Sequence, residues 1–145
     1  MPRKLDLSAF DFDSPAVDSL PTAYEKTVPN QFPTITNTPY RIAIIGEAPG
    51  RDEVVSGKPF VGASGRFLTM WLSRAGVVRD ACFVGNVCQH RPANNDIKNF
   101  RRDGPEITSG LEQLKHDLDE FKPNICLLLG KTALWAAKNI DAIGD

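Results

Sequence analysis

The sequence predicts an α/β fold in which helices cover both faces of a parallel central sheet, a three-layer α/β/α arrangement. Two observations predict it. Three short apolar runs each end at a glycine, as buried strands do where they lead into turns. Each run is followed by a segment with helical spacing of apolar residues, and this alternation is typical of parallel sheets. With 145 residues, the chain has the length of one domain with a core of its own.

The apolar runs lie at residues 41–45, 81–84 and 125–129. We expect the first strand in the middle of the sheet and the third at an exposed edge. The third run is apolar on both faces, which is typical of a central strand, and an uncovered apolar edge promotes association. A fourth strand is therefore expected to be missing from this sequence. Either the sequence is a fragment, or a partner covers that edge.

A helix is predicted after each strand. Apolar residues at helical spacing occupy residues 67–75, and Gly76 is a suitable C-terminal stop. The second helix is amphipathic, spans residues 105–121 and has a proline at its first position. The third spans residues 131–139. The polar residues 87–104 are predicted to form a long loop.

Residues 1–39 differ from the rest of the chain. They are rich in proline, contain scattered acids and show no sustained apolar period. Two interpretations stay open for them: a disordered tail, or an extended arm docked on the domain. The domain itself is expected to comprise residues 40–145 and to be incomplete at its C-terminus.

Charge and cysteine content limit the function classes. The net charge is −1, so any contact with DNA depends on local basic patches. The three cysteines, an odd number without repeated spacing, argue against a disulfide framework or a zinc site. Neither a signal-peptide segment nor a run of transmembrane length is present, so we expect an intracellular protein of a reducing compartment, the cytoplasm, without a membrane partner.

The first unusual stretch runs from Gly46 to Glu53 and has the sequence Gly-Glu-Ala-Pro-Gly-Arg-Asp-Glu. Its glycines and proline favour a tight loop whose backbone N–H groups can approach a ligand. It is neither a P-loop nor a dinucleotide-binding fingerprint, because the Gly-Lys-Ser/Thr ending and the third glycine are missing. A plain strand-to-helix turn with solvated acids is the alternative interpretation.

Two further stretches follow. Phe60 lies in a glycine-rich loop, where an aromatic ring is suited to stacking on a flat ligand such as a base. The alternative is a core phenylalanine under the loop. Asn86 stands at the carboxyl end of the second strand, and its amide offers a donor and an acceptor side by side. The alternative here is an asparagine that caps a turn.

The three stretches occur in the order Gly-Glu-Ala-Pro-Gly, Pro-Phe-Val-Gly, and Asn followed by Arg-Pro. With strands before the first and the third, residues 41–139 resemble family 4 uracil-DNA glycosylases and the related domains linked to phage DNA polymerases. The resemblance implies binding of a uracil flipped out of DNA and hydrolysis of its N-glycosidic bond in base excision repair. Implied partners are uracil-containing DNA, with single strands preferred because flipping is cheapest there, and a DNA polymerase or another replication protein. A phage origin would place the protein in the host cytoplasm.

The resemblance also implies roles for the matching residues. Glu47 and Glu53 would be the catalytic acids, and the motif does not rank them. Phe60 would stack on the uracil. Asn86 would read its Watson–Crick edge, because a side-chain amide matches O4 and N3–H of uracil and mismatches cytosine. The other residues expected at the uracil or the DNA are Gly46, Ala48, Pro49, Gly50 and Arg91.

The sequence departs from the family in two places. Family 4 members hold an iron–sulfur cluster on four cysteines, whereas no cysteine precedes Cys82 here and His90 replaces a family cysteine. Because four thiolates cannot be assembled, we expect no cluster and no metal. The family's last motif, a His-Pro-Ser-like segment, does not occur before Asp145, so we expect weak or no activity. A non-enzymatic DNA-binding or polymerase-associated remnant of the fold, and a generic nucleotide-binding domain, therefore stay open.

Overall fold

The computed structural model describes residues 26–140, so residues 1–25 of the expected arm and residues 141–145 lie outside the described residues. Its elements in chain order are β1 (Ile42–Gly46), α1 (Arg51–Ser56), α2 (Ala63–Arg74), β2 (Cys82–Asn86), α3 (Pro105–Phe121), β3 (Ile125–Leu128) and α4 (Lys131–Ala137). Short 3-10 turns lie at Arg79–Ala81, Ala93–Asn95 and Ile97–Asn99. The predicted succession of three strands with helices between them is present.

The sheet has three strands in the order β2-β1-β3, and both pairings are parallel. Ile42 of β1 lies opposite Cys82 in β2 and opposite Ile125 in β3. The predicted parallel sheet, with the first strand in the middle and the third at the edge, is therefore confirmed. In this register Gly46 and Asn86 are neighbours at the carboxyl ends of β1 and β2, where parallel sheets bind their ligands.

Side chains of β1 alternate between the two faces of the sheet, and each face has its own core cluster. Ala43 and Ile45 pack with buried residues of α3 and α4. Ile44 packs on the opposite face with Leu68 and Leu72 of α2. Helices therefore cover both faces, which confirms the predicted three-layer architecture.

Two helical boundaries differ from those expected, and one short helix is additional. α2 begins at Ala63 rather than Phe67, because its first turn, Ala-Ser-Gly-Arg, has no large apolar side chain to show the helical period. The short helix α1 is absent from the prediction for a related reason, since none of its residues is buried. α4 ends at Ala137, and the N–H of Asn139 closes a last turn on the carbonyl of Ala136. Among residues 26–140, no helix is both long and apolar enough to cross a membrane.

The described part of the expected arm lies against the outer edge of β2. Gln31 pairs antiparallel with Val84 through backbone hydrogen bonds of 2.8 and 3.0 Å. Val28 is 1% exposed, and the ring of Phe32 meets that of Phe83 edge-on at 5.2 Å. Of the two interpretations of the arm, its described part therefore agrees with the extended arm docked on the domain. The division into an arm of residues 1–39 and a domain of residues 40–145 stays a prediction.

The outer edge of β3 is uncovered in the part of the chain that the structure describes. Ile125 and Leu127 are 45% and 40% exposed there. Leu127 and Leu129 also line an apolar cavity of about 630 Å³, whose other wall includes Leu68 and Trp71 of α2. The expected exposed edge is thus continuous with an open apolar face of the sheet.

Candidate functional site

A cavity of about 500 Å³ lies at the carboxyl ends of β1 and β2. Small-molecule sites usually measure about 300–1,000 Å³, so this cavity has room for a nucleobase. All three unusual stretches of the sequence contribute to its lining. The expected site residues in the lining are Glu47, Ala48, Pro49, Gly50, Glu53, Phe60 and Asn86.

Gly46 lets two of these side chains meet. A Cβ at this position would overlap the ring of Phe60 and would lie 2.8 Å from the side-chain oxygen of Asn86. A residue without a Cβ is therefore required for the ring and the amide to approach each other over the end of β1. Gly46 itself is buried beneath them.

Asn86 is 3% exposed and lines the cavity. Its backbone N–H donates to Oδ1 of Asn30 at 3.2 Å, but no residue among 26–140 forms a hydrogen bond with its side-chain amide. The amide is therefore ready to pair with a ligand that presents the complementary pair of groups.

Phe60 has a left-handed backbone with a φ of 53°, which is unfavourable for an aromatic residue. The guanidinium of Arg79 holds this conformation by donating to the carbonyl of Phe60 at 2.7 Å and to that of Pro59 at 2.8 Å. Burial lowers the pKa of Arg79 from its ordinary value. Gly65 is required as well, because a Cβ there would overlap the backbone of Phe60. The backbone of Phe60 is thus held by an arginine and a glycine from outside its own loop.

Replacing Arg79 with alanine is expected to release the Phe60 loop. The substitution removes the two short charge-assisted hydrogen bonds to the carbonyls of Phe60 and Pro59, together with those to the hydroxyl of Thr69 and the carbonyl of Gly65. We expect this loss to lower the free energy of unfolding by about 2–3 kcal/mol. Urea unfolding measures this change. R79K should restore little, because a lysine does not present the planar fork that binds both carbonyls. Wild-type stability of R79A would contradict the assignment.

Glu53 is engaged by the protein backbone. Its Oε1 accepts from the N–H of Gly50 at 3.1 Å, and its Oε2 accepts from those of Val61 and Gly62 at 3.0 and 2.7 Å. One carboxylate thereby joins the loop after β1 to the loop that contains Phe60. This arrangement makes Glu53 a structural clamp of the cavity wall.

Glu47 is engaged differently. Its Oε2 accepts a hydrogen bond from the hydroxyl of Thr132, at the start of α4. No backbone N–H among residues 26–140 donates to its carboxylate. Its other oxygen is therefore free to hold a water or a substrate group in the cavity that Glu47 lines.

Arg91 stands at the margin of the site and is absent from the cavity lining. Its Nε donates to Oδ1 of Asn95 at 2.9 Å, and Asn95 does line the cavity. The structure thus connects Arg91 to the rim rather than to the interior.

Cys88 follows β2 and is fully buried. Its thiol approaches the carbonyls of His90 and Glu106 at 3.3 and 3.6 Å. Burial raises its pKa from the ordinary value of 9.0 to about 11. The folded state therefore holds the thiol proton more tightly than the unfolded state. The free energy of unfolding consequently falls as the pH rises from 9.0 towards about 11, where the unfolded chain has already lost this proton.

We therefore expect Cys88 to resist alkylation in the folded protein, since the thiolate is the reactive form and the sulfur is enclosed. Iodoacetamide treatment at pH 8, followed by peptide mass spectrometry, should leave Cys88 unmodified in the native protein and modify it after unfolding in urea. Equal labelling in both states would contradict the burial.

The family model of the uracil DNA glycosylase superfamily matches residues 33–144. The chain belongs to this superfamily. It is 38% identical over 109 residues to a type-4 uracil-DNA glycosylase of Archaeoglobus fulgidus, a match that covers 74% of this chain and 52% of the relative. It is 42% identical over 89 residues to that of Pyrobaculum aerophilum, covering 61% and 43%. For Thermotoga maritima the identity is 35% over 99 residues, covering 68% and 49%.

The chain spans about half the length of these curated relatives. The expected resemblance to uracil-DNA glycosylases is confirmed. The absence of the iron–sulfur cluster that such a resemblance would imply stays a prediction. The chain has three cysteines, and within residues 26–140 no group of three or more His, Cys, Asp or Glu side chains is arranged to hold a metal. No step of the chemistry proposed below uses a cluster.

Three contributors to this glycosylase-like site were missed in the sequence. Arg79 and Thr132 support Phe60 and Glu47 from outside the matched motifs. Asn30 contacts Asn86 from the arm. The sequence signal for Arg79 was an arginine that directly follows two valines, before the second strand. The signal for Thr132 was a hydroxyl residue two positions after Gly130, at the carboxyl end of the third strand. No sequence signal pointed to Asn30.

Proposed function

We propose that this domain binds a uracil flipped out of DNA and hydrolyses its N-glycosidic bond, the first step of base excision repair. The observation that supports this function most directly is the buried amide of Asn86, which lacks a protein partner among residues 26–140 and faces a cavity beside the ring of Phe60.

The amide supports uracil as the ligand. Uracil presents an acceptor at O4 next to a donor at N3–H, so Nδ2 and Oδ1 of Asn86 can pair with both at once. Cytosine presents the opposite pair and would require the amide to turn by 180°, so one fixed orientation of the amide discriminates against it. Phe60 supplies a flat apolar face next to the amide, and stacking on an aromatic ring contributes about 1–3 kcal/mol per base.

Glu47 is the proposed general base. Cleavage moves the electrons of the bond between C1′ and N1 onto the uracil and leaves positive charge on the sugar. A water held by the free oxygen of Glu47 then bonds to C1′ and passes its proton to the carboxylate, whose negative charge also favours the sugar cation. The hydroxyl of Thr132 orients this carboxylate. Glu53 is proposed to act by holding the two loops that form the wall.

Arg91 is the proposed contact to the DNA backbone. Its Nε is bonded to Asn95 at the rim, while its terminal nitrogens form no hydrogen bond within residues 26–140. Guanidinium groups bind phosphates well, and the overall charge of −1 requires such local contacts. The resemblance to polymerase-linked domains supports a replication protein as a partner, and three free cysteines support a reducing, cytoplasmic location.

The proposal is tested with single-stranded oligonucleotides that differ at one central base. Fluorescence anisotropy should show tighter binding when that base is uracil than when it is cytosine, and excess protein should release free uracil. Binding without release would favour the non-enzymatic DNA-binding alternative. Equal binding of the uracil and cytosine oligonucleotides would contradict the uracil site.

A further inference from the structure

We propose that Asn30 is a positioning residue of the site: it is held by Asp117 and in turn holds the backbone of Asn86, from which the reading amide extends. This positioning role holds whatever ligand the Asn86 amide binds. Only its connection with uracil rests on the function proposed above.

Asn30 bonds with both ends of its side-chain amide. Its Oδ1 accepts from the backbone N–H of Asn86 at 3.2 Å, and its Nδ2 donates to Oδ2 of Asp117 at 2.8 Å. The side chain lies so close to β2 that a Cβ on Gly85 would overlap it. Asn30 therefore rests directly on the backbone that leads into Asn86.

The arm secures Asn30 on both sides. Gln31 forms the antiparallel bridge to Val84, and the N–H of Val28 donates to the carbonyl of Gln89 at 2.8 Å. Between these two contacts, the outward N–H of Asn86 meets a side-chain oxygen instead of a backbone carbonyl. An asparagine at this point thus completes the pairing of the β2 edge.

Asp117 determines which way the Asn30 amide points. It is 8% exposed, and its Oδ1 accepts from Nε2 of Gln113 at 2.9 Å, with Nδ1 of His116 at 3.4 Å. An ionised carboxylate only accepts hydrogen bonds, so it selects the NH₂ end of Asn30 and leaves the oxygen for Asn86. A buried carboxylate needs such partners, which makes the network costly to break.

Exchanging the two polar groups tests this assignment. In N30D two carboxylates face each other without a donor between them, so we expect the Asn86 backbone to shift and the preference for uracil over cytosine to fall about tenfold. In the double variant N30D/D117N an amide again faces a carboxylate, and an oxygen again faces the Asn86 N–H. We expect the double variant to regain most of the lost preference.

The structural readout is the pair of backbone and side-chain amide resonances of Asn86 in ¹⁵N NMR spectra without DNA. They should move in N30D and return towards wild-type positions in N30D/D117N. N37D, at an exposed asparagine of the same arm, is the matched charge control and should leave them in place. N30A removes both bonds without adding charge, and it should move the same resonances if N30D does not fold.

Unchanged Asn86 resonances in N30D or N30A, or a double variant no closer to wild type than N30D, would overturn the proposal. Resonances that move and are rescued, in a protein that shows no uracil preference in any form, would support Asn30 as a positioning residue while contradicting the uracil assignment. The failure of one proposal is therefore distinguishable from the failure of the other.

Discussion

Replacing Asn86 with alanine is expected to weaken binding of uracil-containing single-stranded DNA by about 100-fold. The substitution removes two hydrogen bonds from a buried position and leaves O4 and N3–H of the uracil without partners, at about 1–3 kcal/mol for each unpaired group. Anisotropy titrations with uracil and cytosine oligonucleotides measure the effect. The preference for uracil should disappear, while the remaining non-selective binding stays near the wild-type level for cytosine.

N86D is the isosteric companion. A carboxylate keeps the shape of the side chain but cannot donate to O4, while it can accept from the N4 amino group of cytosine. The variant should therefore lose affinity for uracil and gain affinity for cytosine relative to uracil. A wild-type uracil preference in either N86A or N86D would exclude Asn86 as the reading residue. If either substitution lowered the free energy of unfolding as much as it weakened the free energy of binding, the loss of affinity would be due to unfolding at the end of β2.

The fold was predictable because its signals are local. The apolar runs of β1, β2 and β3 stand out against polar surroundings, and Pro105 marks the start of α3. The docking of the arm was not predictable in this way. It depends on single contacts between distant residues, such as Phe32 on Phe83, and these leave no periodic trace in a proline-rich segment.

The site residues also divide into those with local sequence signals and those placed by contacts between distant residues. Glu47, Phe60 and Asn86 belong to ordered motifs at strand ends, and the register of parallel strands brings such ends to one edge. Their supports come from elsewhere in the chain. Arg79 and Thr132 reach the site through side-chain geometry that spacing alone does not encode. The different engagement of Glu47 and Glu53, which the motif left unranked, likewise becomes visible in their hydrogen bonds.

E47Q is expected to slow uracil release without a loss of stability, whereas E53Q is expected to lower stability. In E47Q the amide oxygen can still accept from Thr132, so the free energy of unfolding should stay within about 0.5 kcal/mol of wild type. The charge that favours the sugar cation and accepts the proton of water is lost. We therefore expect uracil release from single-stranded DNA to slow at least about 100-fold, the usual contribution of a general base.

In E53Q one carboxylate oxygen becomes an NH₂ group that faces backbone N–H donors. Either Gly50 or the pair Val61 and Gly62 then loses its acceptor. We expect the free energy of unfolding to fall by about 1–3 kcal/mol. Any slowing of uracil release should accompany this loss, because the altered loops carry Phe60 and the backbone beside the cavity.

Urea unfolding and single-turnover uracil release with excess protein, measured on the same preparations, separate the two outcomes. E112Q, on the exposed face of α3, is the matched control and should change neither quantity. If E53Q slowed release at wild-type stability, Glu53 would act on the reacting groups. If E47Q lost as much stability as E53Q, its carboxylate would belong to the framework, and the general base would have to be sought elsewhere in the cavity.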